Sequence, residues 1–265
     1  MKINLKDKTA LVTGGGTGIG RYIVKALADA GATVAFTSRN VNSINGTMKI
    51  LSNNTKINHK GYKIDVSKKG NIKRLQQKIK KDFKSIDILI NNIGHTLEVK
   101  DPFSKIENWE KVMRLNFMTS VEMVNHFIKD MKRKNWGRII NITSVAGMEI
   151  SGPSAFNASK AALTAYSKSV GRQLALEKRN VVMTALAPGI VLTEKGHWNK
   201  MIKKNINHAK KYLKNRVPLE RFGSMDETTG IVVFLASDAA SFFHGSIIHA
   251  DGGHSKHYMS DTYLK

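Results

Sequence analysis

Seven short apolar runs, rich in β-branched residues, recur along the chain: KTALVTGG (8–15), ATVAFTSR (32–39), GYKIDVS (61–67), IDILINNIG (86–94), GRIINITS (137–144), VVMTALAPG (181–189) and GSIIHADGG (245–253). Their apolar residues are nearly continuous rather than alternating, which predicts strands buried on both faces, as in a parallel sheet. Between them lie stretches of helical period. Residues 20–31 place Ile23, Val24, Leu27 and Ala28 on one face and stop at Gly31. Residues 103–132 and 154–178 read as further amphipathic helices. Strands alternating with helices predict an α/β fold, a doubly wound parallel sheet of about seven strands with helices on both faces. No repeat, low-complexity segment or Pro/Gly-rich linker breaks the alternation, so residues 1–265 are expected to form a single domain.

Composition narrows the picture. A 41% hydrophobic fraction and a mean hydropathy of −0.28 suit a soluble globular chain. No apolar run approaches the ~18–20 residues of a membrane span. The opening MKINLKDKTALVTGGG has no signal-peptide layout, and a cytoplasmic location is expected. The absence of cysteine removes disulfides and thiolate metal sites, and no histidine–carboxylate set has metal-site spacing, so no catalytic metal is expected. The charge of +23 reads two ways: as a general lysine excess, or as a surface that attracts acidic partners. Neither helix-turn-helix nor zinc-finger spacing is present, so specific nucleic-acid recognition is not expected.

The stretch VTGGGTGIG (12–20) follows the first predicted strand and opens the first predicted helix. Gly14, Gly18 and Gly20 fall where a chain must turn tightly, admit a pyrophosphate to the backbone and pack a helix on the sheet. The helix N-terminus then offers N–H groups to phosphates. At the end of the second strand stand Ser38 and Arg39 instead of an acidic residue. A carboxylate there would accept hydrogen bonds from a ribose 2′-OH, whereas a guanidinium can bind a 2′-phosphate. NADP is therefore favoured, with NAD still open.

The spacing T-G-x-x-x-G-I-G from Thr13 to Gly20 resembles the short-chain dehydrogenase/reductase family, Rossmann-like dinucleotide-binding oxidoreductases. Five later motifs extend the resemblance over nearly the whole chain: NNIG (91–94), RLNF (114–117), NITSVAG (141–147), APGIVLT (187–193) and HADGG (249–253). It implies cofactor contacts at Thr13, Gly14, Gly16, Thr17, Gly18, Ile19, Gly20, Ser38, Arg39, Asp65, Val66, Asn92, Gly94, Lys160, Pro188, Gly189, Val191 and Thr193. Asp65 matches the family residue at the adenine amino group, and the Pro-Gly loop matches the one that holds the nicotinamide amide. In the family a tyrosine exchanges the substrate proton, a lysine one turn later lowers its pKa, a serine orients the carbonyl and a helix asparagine supports a proton relay.

Carried over, Asn116, Ser144 and Lys160 are in place, but the tyrosine position is Phe156. The step of twelve residues from Ser144 and of four to Lys160 fits the family pattern, and Tyr166 lies nearly three turns away. Three readings stay open. Phe156 is an engineered Tyr→Phe change that traps a substrate complex; or it is natural and the proton donor has moved; or the protein binds a dinucleotide without turning it over. For a moved donor His95, directly after NNIG, is the candidate, since imidazole exchanges protons near neutral pH. Ser144, through a water relayed from Lys160, is another.

The resemblance makes residues 194–222 a substrate lid. They are unusually basic, with Lys195, Lys200, Lys203, Lys204, Lys210, Lys211, Lys214 and Arg216, and their apolar residues Trp198, Met201, Ile202, Ile206, Tyr212 and Leu213 predict an inner helical face. An acidic carbonyl or alcohol substrate is expected, a nucleotide-linked or phosphorylated sugar first, with an acyl chain on acidic carrier protein as the alternative. The chain is similar to sugar dehydrogenases and to 3-oxoacyl-carrier-protein reductases, and KDMKRKNWGR (129–138) with Arg172 is the candidate carrier-docking surface. A homotetramer or homodimer is expected, paired through Ala162, Leu163, Tyr166, Val170 and Leu174.

Overall fold

The computed structural model describes residues 3–51, 57–193 and 196–255. Seven strands form one parallel sheet: β1 (Thr9–Val12), β2 (Thr33–Ser38), β3 (Lys60–Lys63), β4 (Ile88–Asn91), β5 (Gly137–Ile142), β6 (Val181–Pro188) and β7 (Ile247–Ala250), in the order β3-β2-β1-β4-β5-β6-β7. The order reverses at β1, where Val12 registers with Phe36 on one side and Ile90 on the other. Ligands of open α/β sheets bind at such a switch point, beyond the carboxyl ends of the strands.

Helices cover both faces. Against one lie α1 (Gly18–Asp29) and α9 (Met225–Leu235), whose Ile23, Val24, Leu27, Val232 and Leu235 pack on Val12, Phe36, Ile90 and Ile140. The other face carries α3 (Asn71–Phe83), α5 (Thr119–Lys134) and α6 (Ser154–Leu176), with Leu75, Ile79, Met123, Phe127 and Leu174 on Leu11, Leu89, Ile139 and Met183. Neighbouring strand residues thus face opposite layers, which is why each run reads as continuously apolar. Further helices are α2 (Val41–Leu51), α4 (Ile106–Met113), α7 (His197–Lys204) and α8 (Ile206–Arg216). Among the described residues no helix is long and apolar enough to cross a membrane.

The structure departs from the sequence reading in particular places. The run 61–67 is a strand only through Lys63, because Asp65 turns the chain by accepting from the Ser67 N–H and hydroxyl. The stretch 103–132 is not one helix: a π-helical segment, Arg114–Met118, separates α4 from α5. Of the residues expected to pair subunits, Leu163 and Leu174 are buried in the chain's own core, which removes them from any such patch.

Candidate active site

The cofactor cleft is made mostly of backbone. The β1–α1 loop turns through Gly14 at φ +70, and a Cβ on Gly20 would collide with the Gly14 carbonyl. Side chains then lock the loop. The Gly14 N–H donates to Thr37 Oγ1 at 3.2 Å, Arg21 donates to the Gly16 carbonyl at 2.7 Å, and the Thr47 hydroxyl reaches the Gly15 carbonyl at 3.1 Å. Gly18, at φ +55, has open space where a side chain would stand. Thr17 holds the N-cap of α1 without a side-chain cap bond, so the first N–H groups of the helix stay available to an anion.

These elements border a cavity of about 750 Å³, which suits a dinucleotide. It brings together Gly14, Gly16, Thr17, Gly18, Ile19, Gly20, Ser38, Arg39, Asp65, Val66, Asn92, Gly94, His95 and Thr193. Thr13 is buried beneath it, where its hydroxyl receives the Asn92 N–H at 2.9 Å and ties β1 to the β4 loop. Pro188 ends β6, Gly189 follows it, and Val191 bridges to Gly223; none of the three lines the cavity. Arg39 is exposed at the rim, in no ion pair among the described residues. It also borders an adjoining hollow of about 430 Å³ with Ser67, Lys111 and Arg114.

The candidate reaction centre draws on side chains from four elements. Lys160, on α6, is 3% exposed and donates from Nζ to the Ile142 carbonyl at 2.8 Å. Burial pushes its pKa down to about 8. Gly94 seats against it: a Cβ there would lie 2.9 Å from both Lys160 Nζ and Asn116 Oδ1. Asn116, fully buried in the π-helical segment, holds His95 by both backbone groups. Its Oδ1 receives the His95 N–H at 2.9 Å, and its Nδ2 donates to the His95 carbonyl at 2.9 Å. Ser144 accepts the Ala146 N–H at 3.1 Å, which leaves its own hydroxyl proton for another acceptor. Phe156 is half-buried, with its ring centroid 5.8 Å from Lys160 Nζ. The ring has no group to exchange a proton.

Sequence reasoning missed several supports. The Ile142 carbonyl, Thr37 and Thr47 carry no motif signal, because they act through positions that only the fold brings near. Arg21 was missed as well, although its place directly after Gly20 is a signal that could have found it.

Glu194 and Lys195 lie outside the described residues. The rest of the expected lid is the helix pair α7–α8, held by a small core of its own. Trp198 packs on Tyr212 and Phe222, with centroids 4.5 and 5.6 Å away, over buried Leu213 and Val217. Ile206 is 52% exposed, so it is not part of the inner face. Lys200, Lys203, Lys204, Lys210, Lys211, Lys214 and Arg216 face solvent. The other basic stretch changes meaning. Arg138 is fully buried and donates to the carbonyls of Ser237, Gly137 and Asn180, while Lys132 and Lys134 pair with Glu177 and Asp87. These three hold the fold together, which leaves Lys129, Arg133 and Arg172 as the exposed cations of the expected docking set that do not tie distant elements together.

A family profile described as enoyl-(acyl carrier protein) reductase matches residues 14–255. The 3-oxoacyl-[acyl-carrier-protein] reductase FabG of Aquifex aeolicus is 33% identical over 254 residues, covering 96% of this chain and 99% of that protein. Its Escherichia coli counterpart is 34% identical over 252 residues, covering 95% and 98%. L-sorbose reductase from Gluconobacter frateurii, solved with NADPH and L-sorbose, superposes with a TM-score of 0.88 at 25% identity, covering 97% of this chain and 99% of that one. A 3-oxoacyl (acyl-carrier-protein) reductase from Agrobacterium tumefaciens, solved with NADP bound, gives 0.86 at 27% identity, covering 94% and 95%. The profile match over most of the chain and the full-length relatives at 33% and 34% identity show that the chain belongs to the short-chain dehydrogenase/reductase family of oxidoreductases.

Proposed function

We propose that this protein is an NADP(H)-dependent oxidoreductase that interconverts a carbonyl and an alcohol on a substrate carrying an acidic group. The observation that carries the reading is the cleft itself: an uncapped helix N-terminus and open Gly18 for the pyrophosphate, with Arg39 at the rim for a 2′-phosphate. When bound, the cofactor supplies or accepts a hydride equivalent at the substrate carbon. The chain's own residues do the rest. Asn92 and Thr13 fix the loop beside the nicotinamide end, Ser144 offers a hydroxyl to the substrate oxygen, and Lys160 holds a buried positive charge beside Gly94. Full-length similarity to 3-oxoacyl-carrier-protein reductases supports an acyl thioester on an acidic carrier. A phosphorylated or nucleotide-linked sugar is the second reading, favoured by the lysine-bearing α7–α8 pair and by the likeness to L-sorbose reductase.

Calorimetry with NADPH and NADH tests the cofactor, and NADPH is expected to bind more tightly. Single-turnover oxidation of NADPH with 3-oxoacyl thioesters and keto-sugars tests the reaction. Cofactor binding without turnover of any carbonyl would replace this reading with that of a dinucleotide-binding protein, and a tyrosine codon at position 156 of the source gene would mark Phe156 as engineered.

A further inference from the structure

We infer that the imidazole of His95 supplies the proton to the substrate oxygen, in place of the hydroxyl that Phe156 lacks; the inference rests on the oxidoreductase reading above. Three features point to this residue. Asn116 grips the His95 backbone at both its N–H and its carbonyl, each at 2.9 Å, so the one buried polar residue of the π-helical segment is spent on placing it. The His95 ring is oriented as well. Its Nδ1 accepts the Leu97 N–H at 2.8 Å, which leaves Nε2 as the ring nitrogen available to donate. That arrangement is held at a conformational cost. Leu97 and Glu98 are consecutive non-glycine residues at φ 52 and φ 58, a left-handed pair that surroundings must enforce.

The placement suits the chemistry. His95 lines the cofactor cavity beside Gly94, and Gly94 is the residue against which Lys160 Nζ is packed. His95 is also exposed, whereas Lys160 is closed off, so His95 can recover a proton from solvent. As the carbonyl carbon gains a hydride equivalent from reduced nicotinamide, the C=O π pair passes to oxygen. That oxygen takes the Nε2 proton, and the ring regains a proton from water. The cofactor is oxidised, the carbonyl is reduced to the alcohol, and the net proton comes from solvent. A neutral imidazole that polarises a carbonyl through an N–H is a known solution to this task. The Ser144 hydroxyl is the second donor to the same oxygen.

Two substitutions separate the ring's two atoms. His95→Asn keeps an acceptor for the Leu97 N–H and removes the distal donor, while His95→Gln keeps a distal N–H and removes the proximal acceptor. With NADPH and the acetoacetyl thioester of N-acetylcysteamine in single turnover, His95→Asn is expected to lower the rate by about 10² or more. His95→Gln is expected to retain more of it, and NADPH affinity by fluorescence titration is expected to stay within about twofold in both, since the dinucleotide is held elsewhere. A second readout needs no turnover. In wild-type protein carrying ¹⁵N-histidine, the His95 signals should show the Nε2-protonated tautomer. The Nε2 resonance should move when the thioester joins the NADP⁺ complex, in which no reaction can occur. An active wild type with an equally active His95→Asn, or an Nε2 resonance indifferent to the thioester, overturns the inference and leaves the oxidoreductase reading standing. A wild type inert toward the whole carbonyl panel overturns the oxidoreductase reading first, and this inference with it.

Discussion

The two ends of the cleft are built from different materials. At the dinucleotide end the functional surface is backbone: Gly14, Gly16 and Gly18, fixed from behind by Thr37, Arg21 and Thr47. At the reaction end it is side chains, drawn from the β4 loop, the π-helical segment, the strand end at Ser144 and the first turns of α6. A backbone surface has many supports, and a side chain added at Gly14, Gly16 or Gly20 is felt through packing. A side-chain surface can lose a proton donor by a single exchange while the fold around it stays intact. The reaction end is therefore where chemistry changes without a structural trace.

The sharpest way to test that contrast is to return the hydroxyl. In the His95→Asn background, Phe156→Tyr is expected to raise single-turnover oxidation of NADPH by about 10²–10⁴, the usual worth of a positioned acid. Lys160 is required for the gain, because its charge one turn away stabilises the phenolate. NADPH affinity, measured in parallel by calorimetry, should barely move. No gain in rate would mean that the recess does not hold a substrate carbonyl at position 156.

Lys160 gives the next largest effect, on stability. Its pKa falls from 10.5 to about 8 on folding, so the unfolded chain binds the extra proton between those values. The cost of burying the charge is fully present below pH 8 and fades as pH rises to 10.5. Relative to Lys160→Met, the wild type should therefore gain on the order of 3 kcal/mol over that window. Urea melts of both proteins at pH 7, 9 and 10.5 measure it; a constant difference would show that Lys160 is not desolvated as the structure has it.

At the dinucleotide end, Arg39→Asp should weaken NADPH binding by about 10–10², the worth of one charge-assisted contact, and should favour NADH. Equal losses for both cofactors would remove Arg39 from the 2′-phosphate. Gly20→Ala is the subtlest probe. Its Cβ meets the Gly14 carbonyl, and relieving that overlap is expected to cost about 1–3 kcal/mol of stability, with weaker binding of both cofactors alike. Thermal melts and titrations together would show whether the loop yields as a backbone unit.

Much of this protein was determined by its sequence alone. Seven continuous apolar runs between amphipathic stretches dictated a two-faced parallel sheet, because each strand must be buried on both sides. The glycine spacing after β1 fixed the dinucleotide loop, since local backbone sterics permit few other residues there. What the tertiary structure decided are the relations between residues far apart in the chain. Arg138 reads as a docking cation and is a buried clamp; Leu163 and Leu174 read as subunit contacts and are core. Asn116 stands in a legible motif, but its bonds across 21 residues to the His95 backbone are visible only in the fold. Periodicity reports which face of an element is apolar, and local spacing reports turns. Neither reports which carbonyl a buried lysine reaches or which ring nitrogen carries the proton, because those depend on groups that only the folded chain brings within hydrogen-bonding distance.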